Sequence, residues 1–136
     1  MTQTAAPTAT ARPTLLRVLQ IFAGLAVLNV LFQFITAGQL FRDNAPTEAH
    51  GAGAIVLHVV SGIAAIAAVL LWRQGVIRLS LAVLAAAVFV YTFIQAAIGG
   101  YNSLGVHIPG AMLLTAGVVW LLIASLRLPE GRGARA

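Results

Sequence analysis

Three histidines, His50, His58 and His107, are the groups in this sequence best suited to chemistry near neutral pH. Neutral imidazole binds metal ions and haem iron, and it exchanges protons in the physiological range. The sequence contains no cysteine, which excludes disulfides, thiolate catalysis, iron–sulfur clusters and cysteine-ligated zinc. It also lacks a nucleophile–base pair and a carboxylate pair, so an enzyme is the least favoured class.

Two of the histidines belong to a pattern that occurs twice. The first copy reads Gln33-Phe-Ile-Thr-Ala-Gly38 and then His50-Gly-Ala-Gly53; the second reads Gln95-Ala-Ala-Ile-Gly-Gly100 and then His107-Ile-Pro-Gly110-Ala111. In each copy a glutamine precedes a glycine by five residues, and a histidine precedes a glycine by three. The pattern predicts an internal repeat of two Gln–His hairpins, related by a pseudo-two-fold axis along the membrane normal.

The elements that position these residues are four long apolar segments, at about 14–40, 48–72, 77–100 and 107–126. The chain is 60% hydrophobic and 8% charged, whereas soluble domains average about 25% charged residues. About 20 helical residues cross a hydrocarbon core of about 30 Å. Short connections favour antiparallel neighbours. We therefore predict an all-α integral membrane four-helix bundle over 14–127, up-down-up-down, between a disordered tail at 1–13 and a basic tail at 128–136.

The basic residues predict the orientation. All eight are arginines, and in this arrangement only Arg42 falls on one side of the membrane. The positive-inside rule places the other seven, and both termini, in the cytoplasm. We predict a multi-pass protein of the bacterial cytoplasmic membrane. The arginines that give the net charge of +5 are then interpreted as membrane anchors rather than as a nucleic-acid surface. The predicted partner is the lipid bilayer, and a homodimer or a larger membrane complex is left open.

The predicted helices bring Gln33, His50, Gln95 and His107 to one level in the outer leaflet. Helices 2 and 4 lie diagonally in such a bundle, so both of these histidines can face a central cofactor site. Small residues beside them, including Gly53 and Ala111, would leave room for a flat macrocycle. This arrangement predicts haem b with His50 and His107 as axial ligands. A quinone, copper or zinc ligand remains open, as do helix-start histidines that bond only a carbonyl or a lipid headgroup.

For each of the other polar residues, a structural interpretation stands beside the functional one. Gln33 and Gln95 either orient the histidines or only form hydrogen bonds between helices. His58 lies about 12 Å deeper than His50 and is rotated by about 80° from it. It can border the same cavity but cannot share one level with the other two histidines. A hydrogen-bonded core histidine is the favoured interpretation, with a ligand or proton-relay role as the alternative.

The order of these motifs resembles a family of small, uncharacterised four-helix bacterial membrane proteins. The resemblance runs from about Arg17 to Arg127 and rests on Gln33, Ala37-Gly38, Phe41, His50 to Gly53, Gln95 and Val106-His107 to Ala111. The resemblance implies the fold but no activity, because the family has no assigned activity.

A more distant resemblance is to one four-helix half of the haem A synthase family. It rests on the stretch from Gln95 to Gly100 with His107 and Ala111. That family pairs haem-ligating histidines on the second and fourth helices of each half, which corresponds to His50 and His107. This chain has a single half, no loop cysteine pair and no clear match to the family's catalytic acid. The resemblance implies haem binding rather than haem A synthesis.

The sequence thus predicts a membrane b-type haem protein that transfers electrons or handles haem. Two other functions stay open. A cofactor-free structural or assembly subunit of a larger membrane complex would tolerate loss of the histidines. A small transporter or channel component would use the Gln/His residues to line a polar path. The interior of the predicted membrane segments lacks acidic residues, which weakens a proton-coupled scheme.

Overall fold

A computed structural model describes residues 11–42, 47–100 and 103–128, and these residues form four α-helices. The helices are α1, Ala11–Gln39; α2, Glu48–Arg73; α3, Leu79–Ala97; and α4, Leu104–Leu126. The described residues contain no β-strand, so the all-α prediction is confirmed. The predicted tails lie mostly outside these ranges, at residues 1–10 and 129–136.

Two helices begin earlier than predicted. Helix α1 starts at Ala11, inside the predicted tail of 1–13. Its first turn contains Pro13, where proline is tolerated because the first N–H groups of a helix have no intrahelical acceptor. Helix α4 starts at Leu104 rather than at His107, so Pro109 lies in its second turn. The histidine is therefore fixed within a helical turn rather than placed at the helix start.

The connection between α2 and α3 is tighter than a simple loop. Gly75 adopts a left-handed φ of 71°, its N–H bonds the carbonyl of Trp72 at 2.8 Å, and Val76 bonds the carbonyl of Leu71 at 2.9 Å. This pair of bonds is a Schellman motif, which satisfies carbonyls at the end of a helix. Helix α3 begins at Leu79, two residues later than predicted, and it ends at Ala97 before the poor helix formers Gly99 and Gly100.

The four helices form a closed ring. Helix α1 packs against α2 and α4, and α3 packs against α2 and α4. Among the described residues no Cα atom of α2 lies within 8 Å of one in α4, and the same holds for α1 and α3. Helices α2 and α4 thus do not pack against each other, and their side chains can meet only across the centre of the bundle.

The outside of the bundle is apolar. Large hydrophobic side chains such as Ile35, Ile66, Leu113 and Trp120 are more than 60% exposed. The interior is filled instead by smaller residues around Leu19, Leu71 and Leu121. Each helix is long and apolar enough to cross a membrane. The chain is therefore a multi-pass membrane protein whose exposed surface is solvated by lipid.

The internal repeat extends to the pattern of burial. The two halves correspond when Gln33 is matched with Gln95 and His50 with His107. In that register the buried residues of α4 coincide with buried residues of α2. The pairs are Gly53 with Gly110, Leu57 with Leu114, Ser61 with Val118, Ala64 with Leu121 and Ala68 with Ser125. The two hairpins therefore use equivalent helix faces to build one core.

Candidate functional site

A cavity of about 600 Å³ lies at the end of the bundle where α1 and α3 finish and α2 and α4 begin. All four helices contribute to its lining. Equivalent positions of the two hairpins line it in pairs, among them Val30 with Thr92, Gln33 with Gln95, His50 with His107, Ala54 with Ala111 and Leu57 with Leu114. The walls are mainly apolar, and the polar groups come chiefly from the repeated histidines and glutamines. This combination is typical of cofactor sites in helical bundles.

The structure brings His50 and His107 together across this cavity. Their ring centroids are 6.5 Å apart and their planes are inclined by 73°. In a metal–imidazole bond the ring nitrogen lies about 2.0–2.1 Å from the metal, and the ring centroid lies about 1.1 Å beyond that nitrogen. The centroids of two imidazoles on opposite sides of one metal are therefore about 6.3 Å apart, and those of two imidazoles on a tetrahedral metal are about 5.1 Å apart. The observed centroid separation is closer to the value for trans ligands than to the tetrahedral value. No group of three or more potential metal ligands exists among the described residues.

The His50 ring is oriented by a buried threonine on α1. Its Nδ1 lies 3.0 Å from the Thr36 hydroxyl, which is also 3.1 Å from the carbonyls of Phe32 and Gln33. Thr36 can donate its hydroxyl proton to one of these carbonyls and accept from His50 Nδ1–H, or it can donate to an unprotonated Nδ1. In the first of these arrangements Nε2 carries the lone pair, which is the state that a metal-ligating histidine needs.

His107 has no such partner. Its Nδ1 atom is buried without a hydrogen bond among the described residues, and so are both amide atoms of the nearby cavity residue Gln95. Gln95 is only 5% exposed. Buried polar groups are nearly always paired, because an unpaired one loses its hydration without compensation. These three atoms belong to α3 and α4, and they have almost no exposed surface.

Each glutamine packs against the glycine of its own hairpin. A Cβ atom on Gly53 would lie 3.0 Å from Gln33 Oε1 and from the Phe32 ring. A Cβ atom on Gly110 would collide with the Gln95 amide nitrogen and lie 2.8 Å from the Tyr91 hydroxyl. These glycines therefore make room for the neighbouring helix. Of the two small residues predicted to leave room for a macrocycle, Ala111 lines the cavity and Gly53 does not.

His58 occupies a separate place at the edge of the cavity. Its Nδ1 bonds the Thr92 hydroxyl at 2.7 Å, and its ring stacks on Phe93 at a centroid distance of 4.1 Å and an angle of 10°. Thr92 also bonds the carbonyl of Phe89 at 2.6 Å. The ring is thus held by α3, as expected for a hydrogen-bonded core histidine, although it borders the cavity that the other two histidines share.

No family model, curated protein or solved structure matches this chain. The resemblances suggested by the sequence therefore remain predictions, and function must be inferred from the site itself.

Sequence reasoning missed the residues that orient the histidines. Thr36 was visible within the first repeated motif, but a lone threonine in an apolar helix gives no sign of its partner. Thr92 was equally inconspicuous. The repeat gives no signal for Thr36 either, because all four residues between the glutamine and the glycine differ between the two copies.

Proposed function

We propose that this chain is a membrane b-type haem protein, with His50 and His107 as the axial ligands, that transfers electrons or handles haem. The observation that carries the proposal is the 6.5 Å separation of the two rings across the cavity. The rings come from helices that do not pack against each other, and their centroid separation is close to that of trans ligands on one metal. A tetrahedral metal ion would need them closer together and would need further ligands.

The surroundings of the two rings also suit a flat macrocycle. The cavity volume of about 600 Å³ falls within the range of about 300–1,000 Å³ that small-molecule sites occupy. Ala54 and Ala111 line the cavity with small side chains, and Leu57 and Leu114 line it with larger apolar side chains. An iron with both axial positions filled by protein supplies one-electron transfer rather than oxygen chemistry.

We expect the purified protein to bind haemin and, after dithionite reduction, to show the sharp absorption bands of low-spin haem. The His50→Ala/His107→Ala double variant should lose these bands because both axial nitrogens are gone. His58→Ala is the matched control, since His58 borders the cavity but bonds Thr92, and it should keep them. The measurement is a haemin titration of each detergent-purified variant, followed by visible spectroscopy of the oxidised and reduced forms.

Two outcomes would contradict the haem assignment. A wild-type protein that stays colourless after haemin addition would favour the structural or assembly subunit instead. A double variant with an unchanged spectrum would mean that haem binds elsewhere.

We further propose an up-down-up-down topology with both termini in the cytoplasm of a bacterial cell. Arg17, Arg73, Arg78 and Arg127 lie near the α1 start, the α2–α3 connection and the α4 end. Contacts bring some of these ends together, since Gln20 of α1 bonds the carbonyl of Ser125 of α4 at 3.1 Å. Arg42 follows α1 at the cavity end. The positive-inside rule then puts the cavity in the outer leaflet.

The absence of cysteine from the chain makes this topology easy to test with single cysteines. Thr47 and Ser80 are both exposed and lie beside opposite helix ends, and Thr47 makes no side-chain capping bond. In intact spheroplasts we expect Thr47→Cys to react with a membrane-impermeant maleimide. Ser80→Cys should react only after the membrane is permeabilised. The reverse labelling pattern would invert the topology.

A further inference from the structure

A smaller groove lies on the outside of the bundle, where α2 contacts α3, and its volume is about 260 Å³. Phe89 of α3 lines it, and its other lining residues follow one face of α2: Gly62, Ala65, Ile66, Val69 and Leu70. These α2 residues extend over about 12 Å of helix. Ile66, Val69 and Leu70 are exposed, so the groove is open to the lipid around the bundle.

Ring contacts fix one end of this groove. A Cβ atom on Gly62 would lie 3.0 Å from the Phe89 ring. Phe89 packs edge to face against Phe93 at a centroid distance of 5.2 Å, and Phe93 stacks on His58. Because these contacts hold the Phe89 ring against α2, the groove is already formed in the unliganded protein.

The size and the walls of the groove restrict what can occupy it. Its volume is below the range of about 300–1,000 Å³ that is typical of sites for whole small molecules. A helix from another protein, with a diameter of about 10–12 Å, is also too wide for it. All of the lining side chains are apolar, so they offer no hydrogen bond to a polar group. A hydrocarbon chain whose polar end lies outside the groove satisfies these conditions.

Two arginines lie beyond the Leu70 end of the groove. Arg73 is the last residue of α2, three residues after Leu70, and Arg78 immediately precedes α3. Both are exposed. The described residues contain one acidic residue, Glu48, which lies at the opposite end of α2, about 37 Å from Arg73. Neither guanidinium therefore has a carboxylate partner among the described residues, and guanidinium groups bind phosphate well.

We propose that this groove binds one acyl chain of an anionic phospholipid and that Arg73 and Arg78 bind the phosphate of its headgroup. Basic sites between transmembrane helices recognise anionic headgroups in this way. The bound lipid would contact both hairpins, since α2 belongs to the first and α3 to the second. The inference depends neither on the proposed haem function nor on the direction of the helices across the membrane.

The two tryptophans of the chain provide the measurement. Trp72 is 41% exposed and lies next to Arg73, whereas Trp120 is 64% exposed and lies on α4. In Trp120→Phe protein, phosphatidylcholine with brominated chains should quench Trp72 in vesicles. Unlabelled phosphatidylglycerol should relieve this quenching at least about tenfold more effectively than unlabelled phosphatidylcholine with the same chains. In Trp72→Phe protein, Trp120 should show no such preference, and a Trp72 without a preference would overturn the proposal.

The role of the arginines is tested in the Trp120→Phe background. Arg73→Gln/Arg78→Gln should lose most of the preference for phosphatidylglycerol. Arg17→Gln/Arg127→Gln is the matched control, because it removes two charges near the α1 start and the α4 end, away from the α2–α3 connection. This control should keep the preference. Equal losses in the two proteins would mean that only the total charge attracts the lipid, which overturns the site.

The role of the groove has its own pair of variants. Val69 lines the groove and Val119 of α4 does not, although both are 36% exposed. Val69→Phe should fill the groove and reduce the preference severalfold, whereas Val119→Phe should leave it unchanged. The same preference in both variants would remove the groove from the proposal.

Two further outcomes identify other occupants. Inorganic phosphate on both sides of the vesicle membrane should not compete with phosphatidylglycerol, because it has no chain to occupy the groove. Effective competition would identify a site for free anions and overturn the lipid assignment. A Trp72 that no brominated lipid quenches would mean that protein covers this face, either a second copy or another partner, and would also overturn it.

Discussion

The His50→Ala variant is expected to bind haem at least about 100-fold more weakly than the wild type, since loss of a second-shell partner alone costs about 10–100-fold. His107→Ala should be milder. The reason is the Thr36 hydroxyl, which lies 3.0 Å from His50 Nδ1 and orients that ring, whereas His107 Nδ1 has no partner among the described residues. A single His50 ligand can then still hold the iron in the His107→Ala protein.

Haemin titrations of both single variants in detergent, with dissociation measured by transfer to apomyoglobin, would give the two affinities. Reduced His107→Ala should show a high-spin spectrum, because one axial position is empty. Addition of imidazole should restore the low-spin spectrum of that variant. Equal losses in the two variants would contradict the unequal roles of the histidines.

Gly110→Ala is expected to destabilise the bundle by about 1–3 kcal/mol, the usual cost of overpacking a filled core. The new methyl group would collide with the amide of Gln95 and approach the Tyr91 hydroxyl. Neither helix can easily move apart, because Gly110 and Gln95 are both buried at the contact between α3 and α4. Haem binding should also weaken, since Gln95 is pushed into the cavity that it lines.

The matched control is Gly105→Ala, the same change one to two turns earlier in the same helix. Nothing lies within 4 Å of a Cβ atom at Gly105, so its free energy of unfolding should stay at the wild-type value or rise slightly with the better helix propensity of alanine. Equilibrium unfolding in mixed micelles would compare the three proteins. Similar stabilities for Gly105→Ala and Gly110→Ala would contradict the close approach of α3 and α4.

Much of the fold was predictable because it follows from hydrophobicity and length. Four apolar segments of sufficient length specify four helices in lipid, where the backbone must satisfy its own hydrogen bonds. The diagonal placement of α2 and α4 followed from short connections. The ends were less predictable: Pro13 and Pro109 suggested boundaries, yet both lie inside helices, since helix ends depend on caps and packing rather than on composition.

The site was predictable only where the sequence repeats itself. His50, His107, Gln33 and Gln95 were identified because two copies of one motif placed them at equal depth, and all four line one cavity. The Thr36–His50 bond and the unpaired atoms of Gln95 could not be predicted. They depend on side-chain directions between helices, and nothing in the local sequence of Thr36 sets these directions.

The Schellman turn at Gly75 joins the two hairpins into one polypeptide, and this covalent link has a consequence for symmetry. Two identical hairpins that paired as separate subunits would have to carry the same residue at both equivalent positions, so their two histidines would be indistinguishable. Fusion of the halves removes this constraint, because each can then mutate alone. Threonine at 36 and isoleucine at 98 form a difference that two identical subunits could not carry, and it makes the two sides of an otherwise two-fold site unequal.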